Sequence, residues 1–153
     1  MRPETFDREG WMLSSWTQIE EGVRYQRLGM LDEALAQYRS PADGTDDPAV
    51  IGAALCREAH LYRAWCKWDD GIAAARRSAA IALSNRLDEL YAEALNAEAI
   101  VHQERGAFDD AVTLYEIMIR MQISDRLLGV AFQNLGSIAA QRRDLDAADA
   151  YFA

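Results

Sequence analysis

A chain of 153 residues, half of them hydrophobic and 27% charged, can bury a sizeable core and is too apolar to stay disordered. Its net charge is −9, and the 16 basic residues are scattered, with Arg76-Arg77 and Arg142-Arg143 the only adjacent pairs. A grip on phosphates needs clustered Lys and Arg, so neither nucleic acid nor an anionic membrane is expected as a partner.

The two cysteines, Cys56 and Cys66, make neither a disulfide framework nor a zinc knuckle, and reduced thiols are expected. No run of about 18 uninterrupted apolar residues is present to span a bilayer. The first fifteen residues are charged and lack the apolar centre of a secretory signal. The expected compartment is the cytoplasm. Only three prolines occur and alanine is abundant, which favours helix.

In chain order, the first expected helix covers about residues 8–28, and Ser15-Trp16-Thr17-Gln18 offers a capping box that would start it later. A second runs from Leu31 to about Arg39, followed by a Pro- and Gly-containing loop over 40–49. Asp47 reads as an N-cap and Pro48 as the first residue of helix three, which runs to about Trp65. Helix four is expected from Asp69 to about Leu83. Ser84 is placed to cap helix five, about 86–105, and helix six covers about 108–122. Ser124 is placed to cap helix seven, about 125–142, and helix eight begins near Leu145.

These helices repeat. The stretch Gly106–Met121 (GAFDDAVTLYEIMIRM) sets the phase, with turn residues Gly29, Cys66, Gly106 and Arg143 spaced by 37, 40 and 37 residues. Two places after each stands a large apolar residue: Leu31, Trp68, Phe108, Leu145. Acids follow at Asp32-Glu33, Asp69-Asp70, Asp109-Asp110 and Asp146, where they complement the positive end of the next helix. Small residues recur five after the turn (Ala34, Gly71, Ala111, Ala148) and seven before it (Gly22, Ala59, Ala99, Gly136), which lets paired helices approach closely. A glycine suits the left-handed conformation that ends many helices, whereas Cys66 and Arg143 would either bear a strain of about 1 kcal/mol there or use another turn.

This pattern resembles the tetratricopeptide repeat family over roughly residues 15–153, best from Leu95 to Met121. The resemblance implies an all-α, right-handed superhelical solenoid of antiparallel helix pairs. It would form one domain over 1–153, with repeats at about 8–40, 48–83, 86–122 and 125–153. Two departures stand out: Glu21, Glu58 and Glu98 hold a slot that is apolar in the family and is kept only at Leu135, and the spacing exceeds the family's usual one. Longer helix pairs of this kind occur in arrays of bacterial regulators and motor light chains. A terminal repeat needs a polar outer face or a capping helix, and this chain stops on Tyr151-Phe152-Ala153. It is therefore expected to be a piece of a longer array, or to dock its apolar end on another copy.

In this family the first helix of each pair lines a concave groove. The resemblance thus places Ile19, Cys56, Asn96 and Gln133 in one row, Val23, His60, Ile100 and Ser137 in a second, and Gln26, Arg63, Gln103 and Ala140 in a third. Asn96 and Gln133 could hydrogen-bond the backbone of an extended peptide, or simply be solvated. The carboxylate clamp of chaperone-binding members needs lysines that these rows lack. The glutamate row could receive basic residues of a partner, or pair with the chain's own arginines. Cys56 and His60 lie one turn apart, but a metal site wants three or four ligands. No Gly-rich phosphate loop, HExxH pair or nucleophile elbow is present, so no enzyme, cofactor or metal is expected. Trp68 is expected to pack in the apolar slot and Trp16 to be exposed. The expected role is a protein-interaction scaffold for a peptide or protein segment. The alternative is the sensor or oligomerisation module of a longer bacterial regulator.

Overall fold

A computed structural model describes residues 4–153, with side chains described from Ser15 onward except at 42–44. Among the described residues the chain is all-α, an open stack of antiparallel helix pairs. The helices are α1 (Glu4–Arg27), α2 (Leu31–Gly44), α3 (Pro48–Ala64), α4 (Trp68–Ser84), α5 (Asp88–Glu104), α6 (Phe108–Ile119), α7 (Asp125–Gln141) and α8 (Leu145–Phe152). Each helix packs on its chain neighbour, and α1, α3, α5 and α7 also touch in succession, so the first helices of the pairs stand side by side. No helix of the described residues is long and apolar enough to cross a membrane.

One turn, used five times among the described residues, builds this stack. Gly29, Cys66, Arg86, Gly106 and Arg143 all have positive φ, at 76°, 57°, 56°, 83° and 61°. In every case the next residue's N–H reaches back to a carbonyl in the preceding helix: Met30 to Tyr25 (3.0 Å), Lys67 to Tyr62 (2.8 Å), Leu87 to Ala82 (2.9 Å), Ala107 to His102 (2.8 Å) and Asp144 to Ala139 (2.9 Å). That six-to-one bond satisfies a carbonyl the helix end would otherwise leave open. Cys66 and Arg143 therefore adopt the left-handed conformation and bear its strain. A Cβ on Gly106 would meet nothing within 4 Å, so the glycine is there for its backbone and not for space.

The turn at Arg86 corrects the expected start of helix five. Ser84 is the last residue of α4 and caps nothing, because the chain reverses through Asn85–Leu87 by the same motif. Ser124 does sit at the N-cap position of α7, but its N–H and hydroxyl both donate to Glu89 of α5, at 2.6 and 2.9 Å. Asp47 caps α3 as expected, its carboxylate accepting from the Ala49 N–H at 2.9 Å with Pro48 following. The loop expected from residue 40 begins later: α2 runs on to Gly44 with Pro41 inside it. Pro41 forfeits a helical N–H, but its ring is fully buried, and that packing holds the extra turn. The capping box at Ser15–Gln18 starts nothing, since α1 passes through it.

Among the described residues three buried clusters run along the stack. Ile19, Ala34, Tyr38, Val50, Ala54 and Leu61 join α1, α2 and α3. Ala59, Tyr62, Ala74, Ala75 and Ala97 join α3, α4 and α5. The third cluster gathers Leu95, Tyr115, Met118, Leu127, Leu135 and Ile138 from α5, α6 and α7. The small residues seven before each turn do the expected job: a Cβ on Gly22 would stand 2.5 Å from the Tyr38 ring, and one on Gly136 2.6 Å from Phe152. Trp68 is half-buried and Trp16 exposed.

Candidate functional site

The residues expected to line a groove divide by burial. Ile19 lies in the first core cluster and Cys56 is buried, its thiol 3.1 Å from the Ser78 hydroxyl, so neither offers a surface to a ligand. Burial pushes the Cys56 thiol up to about 11, against the smaller opposing effect of that hydrogen bond. Neither cysteine is in a disulfide, and Cys66 is exposed. Val23 is half-buried and packs against the first cluster.

The third row is partly structural. Gln26 accepts from the Tyr38 hydroxyl at 2.9 Å, and Gln103 stands in the same relation to Tyr115 at a longer 3.5 Å. Burial pushes the hydroxyls of both tyrosines up from their usual value, so they stay protonated donors. Arg63 donates to Glu104 at 2.6 Å across α3 and α5.

What remains lies on α3, α5 and α7. His60 is half-buried. Its burial, with Arg63 and Arg57 nearby, lowers its pKa to about 4, so it is a neutral hydrogen-bonding group at neutral pH. Asn96 and Ile100 are half-buried, and the Asn96 side-chain carbonyl accepts weakly from Asn134 at 3.5 Å. Gln133 is exposed, and the Ser137 hydroxyl donates to its carbonyl at 3.0 Å. Beside them stands Phe132, 40% exposed. A cleft of about 400 Å³ between α7 and α8 is lined by Gly129, Phe132, Gln133, Tyr151 and Phe152. Phe132 and Gly129 escape the row arithmetic, which samples α7 at fixed offsets and passes over their positions. Glu93, which pairs with Arg126 at 2.6 Å, escapes it for the same reason.

The glutamate slot is resolved at two of its three places. Glu21 pairs with Arg24 on its own helix. Glu98 is buried, accepts from Arg76 of α4 at 2.9 Å, and lies 3.2 Å from the Nε2 of His102. The row therefore turns inward at Glu98 and is not a ladder offered to a partner. Glu58, the third, is also buried. Among the described residues no group of three metal-ligating side chains comes together.

No protein-family model matches the chain, and no curated protein does. Among solved structures it is similar to the crystal structure of BtubC (BKLC) from P. vanneervenii, at 21% identity and a TM-score of 0.70, over 94% of this chain and 70% of that one. A likeness at that identity establishes a shared helical fold.

Proposed function

We propose that the protein is an interaction scaffold of the tetratricopeptide type, with the side-by-side first helices forming a face that receives an extended segment of another protein. The observation that carries this reading is the patch of amides and apolar groups across α5 and α7. There Asn96, Ile100, Gln133 and Ser137 leave hydrogen-bonding and apolar surface half-buried or exposed, next to Phe132. Amides satisfy a peptide backbone without demanding a sequence, while an exposed ring anchors a side chain. Affinity capture from a lysate followed by mass spectrometry tests it, with the pair Asn96→Ala and Gln133→Ala as control. Loss of a captured protein on the double replacement supports the face, and unchanged capture sinks it.

A second reading, an oligomerisation module of a longer regulator, is favoured by α8. Tyr38 and Tyr115 are fully buried where the next pair covers them, whereas Phe152, at the equivalent place, is 56% exposed. In this reading another copy covers it. A monodisperse monomer by light scattering, with α8 protected from hydrogen exchange, would count against that.

A further inference from the structure

A cleft of about 390 Å³ lies between the second helices α2 and α4, with α3 as its floor. Its floor is closed: Leu55, Glu58, Tyr62 and Ala74 are all buried. Its rim carries Arg39, Asp70 and Arg77, all exposed. The cleft therefore brings two guanidinium groups and two carboxylates around one space, with one of the carboxylates nine-tenths removed from water.

The next junction along the array shows what this cleft could have been. The residues equivalent to Ala73, Ala74 and Arg77 are Thr113, Leu114 and Ile117. Leu114 and Ile117 pack against the third core cluster, and Arg76, the equivalent of Arg39, is drawn onto Glu98 at 2.9 Å. At the first junction the smaller Ala74 stands where Leu114 does, buried beside Tyr62 and lining the cleft. Arg39 donates to the Tyr62 hydroxyl at 2.7 Å, and Arg77 stands at the rim with no hydrogen bond or ion pair to another described residue. One slot in the repeat is thus a packed core, and its neighbour is a polar cavity with a charged floor.

We propose that this cleft binds a small zwitterion, a free α-amino acid. Arg77, beside Arg39, takes its carboxylate in the paired geometry a guanidinium offers. The Glu58 carboxylate on the floor, with Asp70 at the rim, takes its ammonium group, because a carboxylate has lone pairs for several donors at once. The size agrees: ligand sites begin at about 300 Å³, so a cleft of about 390 Å³ suits a small molecule and not a peptide. The cleft is built by α2, α3 and α4 and is separate from the patch on α5 and α7.

Isothermal titration calorimetry of the whole chain with each of the twenty standard amino acids is the test. At least one should bind. Ala74→Leu, which copies Leu114, should weaken that binding at least about tenfold with helicity unchanged, and Arg77→Ile, which copies Ile117, should do so without touching the buried floor. The matching amine without a carboxylate, and the matching acid without an ammonium group, should each bind at least about tenfold more weakly than the parent. No binding by any amino acid would overturn the proposal. So would either analogue binding as tightly as the parent, or undiminished binding by Arg77→Ile.

Discussion

Arg76, Glu98 and His102 invite a double-mutant cycle. The Glu98 side chain is only 8% exposed while that of Arg76 is 65% exposed, so the two partners are unequal. Removing the arginine leaves a buried carboxylate with His102 as its one remaining described neighbour. Breaking a fully buried pair costs about 3–5 kcal/mol, but water reaches this guanidinium and His102 still offers a hydrogen bond, so Arg76→Ala should cost about 1–2 kcal/mol. Glu98→Leu is different. It copies Leu135, releases Arg76 into water, and should change stability by less than about 1 kcal/mol in either direction. In the Glu98→Leu background, Arg76→Ala should then cost almost nothing. Urea unfolding followed by far-UV circular dichroism reads these values: with a slope of about 2 kcal/mol/M, Arg76→Ala should lower the midpoint by about 0.5–1 M. The reasoning is refuted if Arg76→Ala costs as much in the Glu98→Leu background as it does beside the native glutamate.

Further expectations follow from the turns, the histidine and the thiols. Cys66→Gly should raise stability by about 1 kcal/mol by relieving a left-handed Cβ, and Gly106→Ala should lower it by a similar amount, both read as shifts in urea midpoint. Unfolded His60 takes a proton near pH 6.5, whereas the folded residue waits until about 4. Its contribution is therefore whole above pH 6.5 and is lost as the pH falls toward 4, by at most about 3 kcal/mol, since the unfolded state binds the proton first. His60→Gln should flatten that slope, and an unchanged slope would assign it to other groups. Ellman's reagent should titrate Cys66 at once and Cys56 only on unfolding, because the buried thiol is held neutral.

The fold is largely legible because its turns are written locally. Helix phase, the N-cap at Asp47 and the left-handed turns at Gly29 and Gly106 follow from residues within one or two turns of each other. What escapes is decided at a distance. Pro41 reads as a breaker by its own chemistry, yet burial of its ring carries α2 onward. Ser124 reads as a cap by its position, but its hydroxyl bonds to Glu89, 35 residues away. Arg86 is hidden because an arginine seldom signals a left-handed turn, although Asp88-Glu89 behind it repeats the acidic start of the other helices. Row arithmetic finds the right helices for a candidate site. It cannot separate Cys56, buried against α4, from Asn96, which keeps part of its surface, because burial depends on what the next helix places opposite.

The repeats also explain which deviations belong together. Tyr38 with Gln26 and Tyr115 with Gln103 each join an aromatic hydroxyl to an amide across one helix pair. In the last pair the same two places hold Phe152 and Ala140, so the hydroxyl and its acceptor disappear as a unit. At the junctions, Arg39 shares a cleft with Glu58 and Tyr62, Arg76 meets Glu98 beside His102, and the third junction has Glu116, Leu135 and Ala139. There the arginine, the slot glutamate and the ring are all replaced. A buried polar group is tolerable only with its partner, so such sets change whole or cost stability. Glu58 and Glu98, which look misplaced in an apolar slot, are members of such sets, whereas Glu21 pairs with Arg24 on its own helix. Among the described residues the junction at Ala73 and Ala74 differs from the next in that an open cleft lies over its buried glutamate.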